Sequence, residues 1–262
     1  MIEIMDLKTT FSTGVFKKHT INAVDGVSLH INKGETLGLV GESGCGKTTL
    51  GKTLLRLVEP SAGTICFENR DITTLSRREM RKIRPRMQMI FQDPDSSLNP
   101  RMTVAESIAE PLRLKGTKKQ AIPKRVEDLL ALVGLGLEHL DRHPYELSGG
   151  QNQRVVLARV LALEPDFIIA DEPTSALDVS VQAQILKLIR NLKDELNLTC
   201  LFISHDLMVV RHMSDRIAVM QQGRIVELGT PDEIFEAPSH PYTKDLLSYA
   251  KNAVIPNRKE TE

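Results

Sequence analysis

The segment that most constrains this chain is Gly41-Glu42-Ser43-Gly44-Cys45-Gly46-Lys47-Thr48. It matches the pattern G-x-x-x-x-G-K-[ST] and sits where that pattern has physical meaning. Before it runs Thr36-Leu37-Gly38-Leu39-Val40, a short apolar stretch of the kind buried on both faces of a sheet. After it comes a helical pattern with Leu50, Leu54, Leu57 and Val58, stopping at Pro60. The glycines let the backbone curl so that successive N–H groups point at one spot, and the helix start adds about half a positive charge there. Such a loop is built for nucleotide phosphates. Lys47 is spaced to reach the β- and γ-phosphates, and the Thr48 hydroxyl to coordinate Mg²⁺.

The flanking residues predict an α/β chain. Ile2, Ile4, Val24, Val27, Leu29 and Ile31 alternate with period two, broken by Gly26 and Gly34, and read as strands. Residues 63–92 return to short strands with a basic interruption, Arg77, Arg78, Arg81, Lys82, Arg84 and Arg86, which reads as solvated surface. Over 94–147 the strand patterns vanish and helical segments lie between Pro94, Pro100, Pro111, Pro123 and Pro144. This predicts a helical subdomain inserted into the core. A largely buried helix over 152–163 follows, then the buried strand Phe167-Ile168-Ile169-Ala170 and a period-3.6 helix over 181–196. Cys200-Leu201-Phe202-Ile203 reads as another buried strand, and Ile217 to Leu228 as a hairpin turning at Gln222-Gly223. Alternating strands and helices predict a mostly parallel sheet covered by helices.

Further candidate residues stand at strand and helix ends. Asp171 and Glu172 follow a buried strand, and ligands of open α/β sheets bind at such carboxyl ends. Asp171 is expected near Mg²⁺, with Glu172 one residue nearer the γ-phosphate, where it can polarise a water. Ser204-His205 ends a strand in the same way. Leu147-Ser148-Gly149-Gly150-Gln151 opens a buried helix and makes a second anion-binding helix start. One nucleotide does not need two such starts from one chain, so Ser148 and Gly150 are expected to serve a nucleotide held by another copy. Cys45, beside a helix start, is expected to favour the thiolate.

Composition narrows the class. Apolar residues make up 41%, and the 34 basic residues balance the 34 acidic ones. A neutral chain does not grip nucleic acid through its overall field. Three unpaired-looking cysteines give neither a disulfide framework nor a zinc site. No apolar run reaches the ~18 residues that span a bilayer. The opening Met1-Ile2-Glu3-Ile4-Met5-Asp6 lacks the layout of a signal peptide, so a cytoplasmic location is expected.

Taken together, these motifs resemble the nucleotide-binding subunits of ATP-binding cassette (ABC) transporters, over nearly the whole chain. The resemblance implies a P-loop ATPase fold with a mainly parallel sheet, an antiparallel β subdomain and an inserted helical subdomain. It implies core residues 1–93 and 148–250, a helical signature subdomain at 94–147 and a flexible tail at 251–262. By motif, Gly41 to Thr48 is the Walker A loop, Gln92 the Q-loop glutamine, Leu147 to Gln151 the signature, Asp171 the Walker B acid and Glu172 the catalytic base. Ser175-Ala176-Leu177-Asp178 is the D-loop and His205 the switch histidine. The implied nucleotide contacts are Gly41, Glu42, Ser43, Gly44, Cys45, Gly46, Lys47, Thr48, Thr49, Ser148, Gly149, Gly150, Gln151 and Asp178. Phe11 is preferred over Phe16 as the adenine-stacking aromatic. Thr48, Gln92 and Asp171 are the implied Mg²⁺ ligands, and Glu172, His205 and Gln92 the catalytic set.

The segment Ser96-Ser97-Leu98-Asn99-Pro100 and the later His240-Pro241-Tyr242-Thr243 resemble the oligopeptide, dipeptide and nickel importers. The chain ends about 20 residues after His240 without the Cys-bearing extension of many peptide members, which tilts the reading toward nickel- or metallophore-type members. Asn152 departs from the more usual Arg or Gln. The implied protein hydrolyses ATP with Mg²⁺ at the cytoplasmic face of a membrane. It works with two transmembrane permease subunits, a second ATPase subunit that is a copy or a paralogue, and indirectly an extracytoplasmic binding protein, without nucleic acid. The alternatives are a soluble ABC ATPase of DNA repair or chromosome structure, and a subunit of a cytosolic enzyme complex. The first usually carries long coiled coils or zinc modules, and no sustained heptads or Cys pairs occur here.

Overall fold

A computed structural model describes residues 1–13, 19–93 and 97–254. Phe16, Pro94 and Ser96 lie outside the described residues, as does 255–262 of the expected tail. The chain divides into two compact units, one made of Met1–Thr74 with the chain from Leu201 onward, the other of Leu75–Cys200.

In the first unit, β1 (Ile2–Thr13) pairs antiparallel with β2 (His19–Ile31) and with β4 (Ala62–Phe67). β5 (Arg70–Asp71) completes this sheet in the order β2-β1-β4-β5. The period-two reading holds: Ile2 and Ile4 are buried while Glu3 and Met5 between them are exposed. β3 (Thr36–Val40) is buried along its whole length and runs parallel to β9 (Arg216–Gln221), which forms a hairpin with β10 (Arg224–Gly229). Helix α1 (Lys47–Leu54) packs on β1 and β2. It is shorter than the apolar pattern implied. Arg56 turns left-handed at φ 51°, and the Lys52 carbonyl accepts the Leu57 amide at 2.9 Å. That closes the helix and leaves Leu57 47% exposed.

In the second unit, β6 (Met87–Ile90) pairs parallel with the fully buried β7 (Phe167–Asp171). The basic interruption forms a helix, α2 (Arg77–Ile83), opened by a capping box between Ser76 and Glu79. Its basic side chains are exposed, and Met80 and Ile83 carry it inward. Two longer helices follow, α3 (Val104–Lys115) and α4 (Ile122–Leu132). Pro111 does not bound a helix, as its place between segments implied, but lies inside α3. A proline there orphans the carbonyl four residues back. That carbonyl, on Ser107, accepts the Nε–H of Arg159 at 3.1 Å. Arg159 belongs to α5 (Gly149–Leu161), which begins three residues before the expected helix and packs on α3, α4, β6 and α6 (Val179–Leu196). β8 (Thr199–Ile203), also buried throughout, carries the chain into the first unit. There α7 (Leu207–Met213) packs on β3, and α8 (Pro231–Glu236) and α9 (Pro241–Val254) follow the hairpin.

Leu39 lies in β3, fully buried, two residues before the loop that begins at Gly41. Leu39→Ala is expected to cost about 2–5 kcal/mol, a fall in melting temperature of roughly 5–15 °C. A thermal melt followed by circular dichroism checks it.

Candidate functional site

The loop after β3 holds its shape through residues with no Cβ. Gly41, Gly44 and Gly46 have φ of 153°, 79° and 111°. A Cβ on Gly41 would collide with the Met220 carbonyl oxygen, and one on Gly46 with the Ala23 carbonyl oxygen. Gly46 also caps α1 without contributing a side chain to its first-turn amides. Lys47 is only 6% exposed. Its ammonium donates to the carbonyls of Gly41 at 2.7 Å and Glu42 at 2.9 Å. The lysine thus closes the loop on itself and sits at the uncapped helix start. The far side of the loop is tied to the β9–β10 turn, where the Gly223 amide donates to the Cys45 carbonyl at 2.9 Å.

The thiolate expected at Cys45 is corrected by burial. The side chain is packed under the loop, and loss of solvent pushes its thiol above the ordinary cysteine range, although the Lys47 charge pulls the other way. Thr48 and Thr49 are half-buried in the first turn of α1. Glu42, Ser43 and Gly44 face solvent. His205 is exposed just after β8, and the neighbouring Ser204 accepts the Asp206 amide at 3.0 Å. Phe11 is 40% exposed on β1, opposite an exposed Ile21.

The second unit carries the acids and the Ser148 helix start. Asp171 ends β7 buried, and Glu172 follows half-buried with φ 48°, a left-handed turn that swings the chain off the strand. That turn is held by Ser175, whose amide and hydroxyl both donate to the Glu172 carbonyl at 3.2 Å. Gln92 Nε2 donates to the Glu172 carboxylate at 3.3 Å, a contact that the sequence did not predict between two members of the implied catalytic set.

Ser148 is the N-cap of α5. Its hydroxyl accepts the Gln151 backbone amide at 3.3 Å, and the Gln151 side-chain oxygen Oε1 accepts the Ser148 backbone amide at 2.9 Å. Gln151 Nε2 also lies 3.1 Å from His139 Nε2. His139 Nδ1 faces the Gly136 carbonyl at 3.1 Å. A carbonyl can only accept, so Nδ1 carries the proton and Nε2 accepts from Gln151. Nothing in the sequence pattern singled out His139. Gly149 and Gly150 are needed for close approach: a Cβ on Gly150 would strike Val181, and one on Gly149 would lie 3.1 Å from Leu177. Asp178 caps α6 by accepting the Val181 amide at 3.0 Å and the Ser180 hydroxyl at 2.7 Å. These bonds, that of Val181 foremost, hold its carboxyl below the usual range. Asn152 is buried and donates to the Pro144 carbonyl at 3.0 Å, bracing the same helix start.

Among the described residues no cluster of three His, Cys, Asp or Glu is placed to hold a metal ion. Mg²⁺ does not need one, because it binds through one or two protein oxygens together with substrate phosphates. A Thr48 hydroxyl and an Asp171 carboxylate fit that donor chemistry.

The family model described as ABC transporter matches residues 24–175. The oligopeptide transport ATP-binding protein OppF of Bacillus subtilis is 53% identical over 252 residues, which cover 95% of this chain and 81% of that protein. The dipeptide transport ATP-binding protein DppF of Lactococcus lactis is 50% identical, covering 95% and 80%. Among solved structures, the ATP-binding cassette MJ0796, a dimer in a post-hydrolysis state with ADP and Pi, aligns with TM-score 0.79 at 31% identity over 88% of this chain and 99% of that one. CbiO1 of Clostridium perfringens, part of the transporter complex cbiONQ, aligns with TM-score 0.80 at 30% identity, covering 97% and 95%.

The thiols give a direct check on burial. Cys200 in β8 is pushed up to about 12 by loss of solvent, and Cys45 is raised for the same reason. With less thiolate at every pH, iodoacetamide at about pH 7.5 is expected to label Cys45 more slowly than free cysteine and to leave Cys200 unlabelled. Peptide mass spectrometry over time reads both rates.

Proposed function

The chain belongs to the ABC transporter family, and on that premise we propose that it is the ATP-hydrolysing subunit of an importer for oligopeptides or dipeptides. The observation that carries the nucleotide part is the Lys47 ammonium, seated between two loop carbonyls at a helix start that no side chain caps. Phosphate oxygens are the natural acceptors for such a start. The peptide cargo follows from what the similar proteins are named for. The tilt toward nickel or metallophore transport gains nothing from them, and the DNA-repair and enzyme-complex readings have no observation behind them.

In this reading the loop Gly41 to Thr49 binds the phosphates and Phe11 stacks on adenine. Thr48, Gln92 and Asp171 are the residues that would hold Mg²⁺, which when bound would neutralise charge on the phosphates. Glu172 orients a water and takes its proton, and the Gln92 amide holds the Glu172 carboxylate in the meantime. His205 contacts the γ-phosphate. Ser148, Gly149, Gly150, Gln151 and Asp178 serve a nucleotide bound by a second cassette, so two cassettes pair head to tail. Residues 94–147 act as the helical subdomain.

Among the described residues no helix is long and apolar enough to cross a membrane. Two permease subunits supply the path for the cargo, a binding protein delivers it, and this subunit docks at the cytoplasmic face. A groove of about 580 Å³, lined by Gln88, Met89, Phe91, Glu110, Leu114 and Arg159, supports a docking place for a permease helix. Phe91 and Leu114 are exposed there at 40% and 82%.

Glu172→Gln is expected to lower steady-state ATP hydrolysis by ~10²–10⁴ while ATP still binds. Lys47→Ala is expected to lose nucleotide affinity itself. Hydrolysis by Glu172→Gln within threefold of wild type would remove Glu172 as the base. Pairing is tested by mixing Lys47→Ala with Ser148→Arg chains. Each alone is expected to be inactive, and recovered activity in the mixture reports one intact composite site. No recovery, with no ATP-dependent dimer of Glu172→Gln on a sizing column, assigns the second position to a different cassette.

A further inference from the structure

The Glu42 carbonyl holds Lys47, but the Glu42 amide does something else. It donates a 2.9 Å hydrogen bond to the hydroxyl of Tyr242, 200 residues away in sequence. Tyr242 lies in the first turn of α9, within His240-Pro241-Tyr242-Thr243. The side chain is buried. Burial holds its hydroxyl above the ordinary tyrosine range, so the phenol stays neutral.

The hydroxyl is aimed by a relay that starts in the β9–β10 hairpin. The Glu227 carboxylate on β10 accepts the Ser239 amide at 2.7 Å, the Ser239 hydroxyl at 2.8 Å and the His240 amide at 3.1 Å. Burial works against that carboxylate, and the donated hydrogen bonds outweigh it and keep its pKa below the usual range. His240 Nδ1 then accepts the Tyr242 amide at 3.2 Å and starts the helix. The same hairpin's turn holds the other side of the loop through Gly223 and Cys45. One hairpin therefore fixes the phosphate loop at two points, directly through its turn and through Tyr242.

We propose that Tyr242 is a positioning residue for the phosphate loop. Its hydroxyl fixes the Glu42 peptide, so that the Gly41 and Glu42 carbonyls present the Lys47 ammonium in the geometry a nucleotide meets. The proposal rests on the nucleotide-binding reading above. Without the hydroxyl the loop samples more conformations, and a nucleotide binds with an affinity reduced by the fraction that remains competent. The loop makes its contacts in both ground and transition states, so the loss falls on KM rather than kcat.

The test compares wild type, Tyr242→Phe and Tyr249→Phe, the last an exposed tyrosine on the same helix. Binding of a fluorescent ATP analogue, steady-state hydrolysis and the nucleotide-free melting temperature are measured on the full chain. Tyr242→Phe is expected to raise Kd and KM about three- to tenfold, with kcat within about twofold and the melting temperature nearly unchanged. Tyr249→Phe is expected to match wild type. Nucleotide affinity of Tyr242→Phe equal to wild type overturns the proposal. So does a joint fall of kcat and melting temperature with KM unmoved, which is the mark of a packing role. A wild type that binds no ATP removes the function itself, whereas normal wild-type binding with an equal Tyr242→Phe removes only the role of the tyrosine.

Discussion

The nucleotide site proposed for this protein depends on one buried cation. Lys47 is almost wholly out of solvent, and a buried ammonium without partners is costly. Two carbonyls from the loop's own start accept its protons. Those carbonyls converge only because glycines at 41, 44 and 46 take left-handed conformations that side chains rarely adopt. Lysine and loop are therefore mutually dependent: the loop solvates the charge, and the charge holds the loop curled.

The rest of the first unit keeps that arrangement in place. β3 delivers the chain buried on both faces, and α1 leaves with its first-turn amides uncapped by a side chain. Backbone atoms of Met220 and Ala23 crowd Gly41 and Gly46 so closely that neither position has room for a methyl group. The second unit applies similar logic to its own helix start. Gly150 lets α5 approach Val181, while Ser148, Gln151 and His139 form a short polar chain that fixes the cap. In both places small residues admit a close neighbour, and hydrogen bonds then remove the remaining freedom.

At Pro111 and Cys45 tertiary packing overrides the local pattern, whereas after Leu75 and at Arg56 the deciding feature is local. Pro111 has the local character of a helix breaker, yet Arg159 from α5 satisfies the carbonyl that the proline abandons. Cys45 has the neighbours of a reactive thiol, yet packing strips away the water that would stabilise its charge. The basic segment after Leu75 is solvated, as its charges imply, and the Ser76–Glu79 capping box makes it a helix as well. Leu57 fits the apolar spacing of α1, but the chain turns left-handed at Arg56 before reaching it.

The sequence by itself determined the strands around the glycine-rich loop after β3, most of the helices, and the acids at the end of β7. These follow from short-range patterns: period two, period 3.6, glycine spacing and buried apolar runs. It also carried the motifs on which the family likeness rests. What only the tertiary structure decided are contacts between residues far apart in the chain. Tyr242 reaches Glu42, Gly223 reaches Cys45, Gln92 reaches Glu172, and His139 joins the cap at Ser148. No local spacing encodes such pairs, because each depends on how separate elements pack and on which polar groups that packing leaves to be satisfied.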